Sequence, residues 1–171
     1  MITTPQPDEY APFYANYVNK AGAQGNVLET LEHLKDSTWK FLTALGEEKA
    51  NFTYAEGKWT MKQLVSHMID AERIFAYRVL CFSRGEQQAL PGFDENEYVE
   101  QADLSGQTLR ELANEFRILR EANLFLFKSL NEAQLLNAGI ANGKPVSVRA
   151  LLFITVGHEL HHLDIMKERY L

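Results

Sequence analysis

TMKQLVSHMIDAERIFAYRVLCFSR, residues 60–84, reads as one long helix with both ends marked. Thr60 stands where an N-cap belongs, and Gln63 three residues later completes a capping box, in which each side chain covers a backbone N–H of the first turn. Gly85 follows the last residue and suits the chain's exit. Between these marks Leu64, Ala71, Ile74 and Phe82 recur at helical spacing as one apolar stripe, and His67 lies on that stripe.

Working outward, three further segments carry a helical period. The first runs from about Asp8 to Leu45 and is interrupted at NKAGAQGN, where Gly22, Gly25 and Asn26 divide a short helix from a long one. The third starts near Ser105 and reaches about Leu130. The fourth is capped by Ser147 and continues almost to Leu171. Four amphipathic helices of about 24 residues each, without sustained period-2 alternation, predict an all-α protein built as a four-helix bundle. Two connections stand out. Residues 85–104, containing LPGFDENEYVEQADL, form a long loop between helices two and three, either functional or a solvated acidic connector. Asn142-Gly143, between two short β-capable pieces, predicts a small hairpin before helix four.

The chain has 171 residues, 46% of them apolar and 23% charged. This length suits a single domain over residues 1–171, able to bury a core without disulfides or structural metals. No apolar run approaches the roughly 20 residues that span a bilayer, so no membrane partner is expected. MITTPQPDEY at the N-terminus lacks the features of a signal peptide, and the lone Cys81 agrees with a reducing compartment, which together predict a cytoplasmic protein. A net charge of −6 argues against a nucleic-acid partner.

GHELHHLDIMKERYL, residues 157–171, holds three of the five histidines. At roughly 100° per residue, His158 and His162 project about 40° apart and one turn along the same face, which also carries Leu151, Ile154 and Ile165. That spacing is chelating geometry directed toward the bundle interior. His161 is rotated about 100° from His162, so one of the two coordinates while the other packs or faces solvent. With His67 from helix two, three inward nitrogens become available around one point, the donor set of a metal with an open coordination position.

His33, among charged neighbours, is expected at the surface. Cys81 shares the His67 stripe roughly 20 Å away along the helix and is expected as a small buried hydrophobe. Asp70, one turn beyond His67, is placed either to orient an imidazole or to be solvated. Arg78, three turns beyond His67, is either a pocket cation or an ion-paired structural arginine.

His158-Glu159-Leu160-His161-His162 also satisfies HExxH, in which two histidines hold zinc and the glutamate activates water. In proteases of that type the third ligand comes from farther down the chain. Only nine residues follow His162 here, and none is a histidine. The protease reading is therefore disfavoured, and Glu159, either a base or ligand-orienting group or a residue facing a neighbouring helix, is left unassigned.

GKWTMKQLVSHMIDAERIFAYR and GHELHHLDIMKERYL, together with PDEYAPFYANYV near the start and LPGFDENEYV in the long loop, resemble the DinB-like family, which includes the YfiT-type metal-dependent hydrolases and thiol S-transferases. The resemblance covers nearly the whole chain. It implies a bundle of the DinB/YfiT type, a divalent metal such as zinc or nickel on His67, His158 and His162, and a homodimer acting on a small-molecule substrate. It further implies transfer of a low-molecular-weight thiol, such as bacillithiol, to a small electrophile. Hydrolysis and a noncatalytic metal-binding or dimerisation module are the alternatives.

Overall fold

The computed structural model describes residues 2–171; Met1, part of the N-terminal stretch and of the 1–171 unit read above, lies outside the described residues. Among the described residues, seven α-helices and one hairpin follow in the order α1 (Ala15–Gly22), α2 (Val27–Ala44), α3 (Met61–Ser83), α4 (Glu95–Gln101), α5 (Leu109–Lys128), α6 (Glu132–Leu136), β1 (Ala138–Ala141), β2 (Lys144–Ser147) and α7 (Val148–Ile165).

Helices α2, α3, α5 and α7 form the four-helix bundle. Each packs on two others in the ring α2, α5, α3, α7, so that α2 and α3, consecutive long helices, sit on a diagonal. Residues 45–60 make that diagonal crossing.

Local chemistry sets the helix ends. Asn26 accepts a hydrogen bond from the Leu28 N–H and starts α2 after Gly25 has turned the chain with φ 89°. Thr60 and Gln63 close the capping box of α3 as read from the sequence. Helix α5 begins later than expected. Thr108 and Glu111 form its capping box, whereas Ser105 turns its N–H and hydroxyl onto Asp103. The hairpin turns at Asn142 and Gly143, with φ 52° and 69°, the pair of positive values that a two-residue type I′ turn requires.

Helix α7 differs from the amphipathic expectation. Every residue from Ala150 to Glu159 is buried. The cause is α1, which covers the side of α7 that the bundle leaves open. The two backbones approach closely at Gly157, where a Cβ would stand 2.0 Å from the Tyr17 carbonyl oxygen. The end of α7 widens into a π-helical turn over Met166–Tyr170, which buries Tyr170 and lets its hydroxyl donate to the Trp59 carbonyl (2.7 Å).

The long connection between α3 and α5 is ordered. Leu90 bonds the hairpin through both backbone groups, with its N–H on the Ile140 carbonyl (2.8 Å) and its carbonyl accepting from Asn142 (3.1 Å). Asp94 caps α4 by accepting from Asn96 and Glu97. No helix among the described residues is long and apolar enough to cross a membrane.

Candidate metal centre

His67 comes from the middle of α3, and His158 and His162 from successive turns of α7, where the two helices pack together. Their ring nitrogens meet: His158 Nε2 lies 3.0 Å from His67 Nε2 and 3.1 Å from His162 Nε2. All three residues are buried. The helix assignments and the i, i+4 spacing therefore bring together the three histidines that the sequence singled out.

Aromatic rings hold the imidazoles in place. Trp59, just before the N-cap of α3, packs on His67 with ring centroids 4.9 Å apart. Tyr17 and Phe75 meet His158 edge-on at 5.7 and 5.6 Å. Burial drives the imidazoles toward the neutral form, lowering His67 to about 4 and His162 to about 2. His158 falls well below the usual imidazole range, from burial first and then from the neighbouring histidines.

Neutral imidazoles cannot satisfy this arrangement among themselves. Each ring has one N–H and one in-plane lone pair, so His158 Nε2 cannot make good hydrogen bonds with both neighbours. His162 Nδ1, on the far side of its ring from the cluster, is buried without a hydrogen-bond partner among the described residues. Nitrogens each about 2.0–2.1 Å from a common tetrahedral ion lie about 3.3 Å apart, close to the separations found here. The donor set and its protonation thus fit one divalent cation, which takes imidazole in its neutral form.

The cluster opens into a cavity of about 470 Å³. Tyr14 and Tyr17 near α1, Phe75 and Arg78 of α3, and Phe93 and Glu95 of the long connection supply much of its wall. The long loop therefore serves as part of a cavity wall. His161 also reaches this cavity, half-buried and with its ring 5.3 Å from that of Tyr17, but it is not among the three convergent donors.

The remaining candidates fall elsewhere. His33 is exposed. Cys81, expected buried, is only half-buried, because the outer flank of α3 at that level is exposed at Tyr77 and Leu80. Asp70 meets Arg73 (3.4 Å) and touches no imidazole. Arg78 is buried and lines the cavity, where its Nη2 donates to the Pro91 carbonyl (2.9 Å) and its guanidinium adjoins the Tyr14 hydroxyl. The expected ion pair is absent among the described residues.

Glu159 faces away from the histidines into a second buried cluster. Arg120 of α5 donates to Glu72 of α3 through Nε (2.7 Å) and Nη2 (2.6 Å), and to Glu159 through Nη2 (2.8 Å). Thr38 of α2 donates to the other oxygen of Glu159 (2.5 Å), and Asn123 to Glu72 (3.1 Å). This network joins all four bundle helices. A glutamate so engaged is no general base for the histidine site, which removes the remaining chemical content of the HExxH match.

A sequence signal for the network existed. Arg120 sits in the apolar stripe Leu109, Leu112, Phe116, Leu124 and Phe127, a charged residue at a position that must be buried.

Fold and site together define a helical bundle with a buried three-histidine cluster at the floor of a cavity. The DinB superfamily model matches residues 30–166, and the chain belongs to that family. A protein of Oceanobacillus iheyensis, named as a candidate metal-dependent hydrolase, is 27% identical over 145 residues, which cover 82% of this chain and 81% of its own. Among solved structures, YfiT from Bacillus subtilis, described as a probable metal-dependent hydrolase with an unusual four-helix bundle topology, matches with a TM-score of 0.77 at 18% identity over 98% of this chain and 92% of its own. The DinB-like protein YjoA from the same organism matches with a TM-score of 0.59 at 21% identity, covering 82% and 86%.

Proposed function

We propose that His67, His158 and His162 hold one divalent cation, zinc or nickel, and that the protein is a metal-dependent enzyme transferring a low-molecular-weight thiol such as bacillithiol to a small electrophile. The observation that carries this reading is the convergence of three buried Nε2 atoms from two helices at the floor of an open cavity. A divalent cation held there supplies Lewis acidity, which lowers the pKa of a thiol or water that shares its coordination sphere.

The chain's own residues do the rest. Trp59, Tyr17 and Phe75 fix the imidazole planes and keep bulk water from the donors. The cavity accommodates a small molecule and not an extended polypeptide, since its size is in the usual range of ligand pockets. Glu95, exposed at the rim, is the one carboxylate on the cavity wall among the described residues. A thiol needs only to lose its proton to become the nucleophile, whereas hydrolysis gains from a buried base beside the water. This contrast supports thiol transfer. Hydrolysis is the second reading, and the names of the Oceanobacillus relative and of YfiT support it.

Homodimerisation in the cytoplasm belongs to the same proposal. Ile118 and Phe125, seven residues apart on α5 and 63% and 80% exposed, form an apolar strip that suits a second copy.

Metal analysis of the purified protein tests the centre directly. We expect about one divalent ion per chain, with His67→Ala losing as much of it as His162→Ala. Unchanged metal in His67→Ala would remove the cross-helix site. The reaction is tested with metal-loaded protein, the chelated form and His158→Ala, each assayed with several thiols and electrophiles and with a peptide library. Metal-dependent thiol consumption is expected; metal-dependent peptide cleavage would overturn the reading.

A further inference from the structure

Arg120 and Arg78 are both buried arginines, and they are treated oppositely. Arg120 is 0% exposed and engages two carboxylates. Arg78 is 3% exposed, lines the histidine cavity, and has no carboxylate oxygen within 4.0 Å among the described residues. Its Nη2 donates to the Pro91 carbonyl and its guanidinium also adjoins the Tyr14 hydroxyl, which still leaves several of its five N–H groups for other partners. A buried guanidinium without a countercharge is costly, and a fold retains one where something else supplies the anion.

We propose that Arg78 is the anion-recognition residue of the cavity, binding a carboxylate on a small molecule whose other end reaches the histidine cluster. The second half rests on the metal-centre reading given above. Arg78 follows His67 by three turns, about 16 Å along the axis of α3, and helical side chains lean back toward the N-terminus, here toward His67. The guanidinium and the His67 imidazole thus face one cavity from two levels of α3, with His158 and His162 reaching the same cavity from α7. A monoanion fits better than a phosphate, because Arg78 is the only Lys or Arg on the cavity wall among the described residues and the rim already carries Glu95. The planar fork of a guanidinium matches a carboxylate with two parallel hydrogen bonds. Phe75 and Phe93 between and around the two ends favour an apolar linker.

The test uses ω-mercaptoalkanoates of increasing chain length, each against its primary amide, titrated calorimetrically into the protein with its metal. Plain hexanoate and hexanamide are titrated into the chelated protein in parallel. Wild type should bind the carboxylates at least about tenfold more tightly than the amides, a preference of about 1.4 kcal/mol, with a maximum at intermediate length. Arg78→Gln should bind both members of a pair within twofold of each other, and Arg78→Lys should keep part of the preference. If the thiol end adds nothing but the carboxylate preference persists, Arg78 stands and the metal reading fails. If thiols bind through the metal and wild type does not distinguish acid from amide, the assignment of Arg78 is overturned, a result that needs no variant to fold.

Discussion

Two polar clusters lie inside the bundle beside α7, and adjacent residues feed them: His158 turns into one and Glu159 into the other. In the Glu72–Arg120–Glu159 cluster, charge is paired and the carboxylates gain further donors from Thr38 and Asn123. In the histidine cluster, two Nε2 atoms crowd a third that can serve only one of them. The lesson concerns where function resides. A buried polar group that is fully satisfied holds helices together, whereas convergent donors that cannot satisfy one another beside a cavity are where a binding site is to be sought.

The largest effect that can break this comparison is on stability. Arg120→Met should destabilise the fold by about 3–5 kcal/mol, because it strands two buried carboxylates. Denaturant unfolding of chelated protein measures it. His158→Ala in the same chelated background should cost considerably less than Arg120→Met. Were the two losses equal, the histidine cluster would be as much a structural element as the ion network.

Next in size is the close approach of α1 to α7. Gly157→Ala places a methyl group against the Tyr17 backbone, and overpacking of this kind costs about 1–3 kcal/mol. Since Tyr17 also packs on His158, metal affinity should fall with stability. A variant that keeps both would show that the helices can separate without disturbing the imidazoles.

Acid separates the clusters by sign. In chelated protein an unfolded imidazole titrates near its ordinary 6.5, whereas His67 takes a proton only at about 4 and His162 at about 2. Between pH 6.5 and 4 the unfolded chain binds more protons at these sites, so their contribution to stability is lost as pH falls. Glu159 is raised, mainly by burial, and its contribution has the opposite sign. His67→Ala should therefore flatten the acid-side fall in stability measured by denaturant titration between pH 7 and 4. An unchanged slope would mean that the imidazole of His67 is not shielded from water as the packing of Trp59 implies.

The histidine cluster was legible in the sequence and the ion network largely was not, for a physical reason. His158 and His162 stand four residues apart on an apolar stripe, and His67 interrupts a second stripe, so each helix reports its own inward face. The network spreads single residues over four helices: Arg120 interrupts the stripe of α5, but its partners Glu72 and Glu159 acquire meaning only when the helices are assembled. The same limit applies to α7. Its burial on all sides depends on α1, a helix of 8 residues whose docking on Gly157 no local period announces. The start of α5 was misplaced because Ser105 and Thr108 both resemble caps, and the reciprocal contact from Glu111 decides between them. The hairpin was legible because two consecutive positive φ values leave few residue choices beyond Asn-Gly.

The smallest expected effect sharpens the comparison most finely, since it concerns a histidine beside the cluster and not in it. His161 adjoins His162 in sequence, its ring lies 5.1 Å from that of His162, and it faces the same cavity. Helical geometry nevertheless turns it by about 100° from its neighbour, toward Tyr17, so its nitrogens do not join the three that converge. Loss of that half-buried ring removes a contact with Tyr17 and leaves the donor set whole. His161→Ala should accordingly keep its full complement of metal, while His162→Ala should lose most of it. Metal analysis of the two variants, purified side by side, reads the difference. A reversed outcome, with His161 required and His162 dispensable, would pair His158 with its i+3 neighbour and move the centre to the other flank of α7.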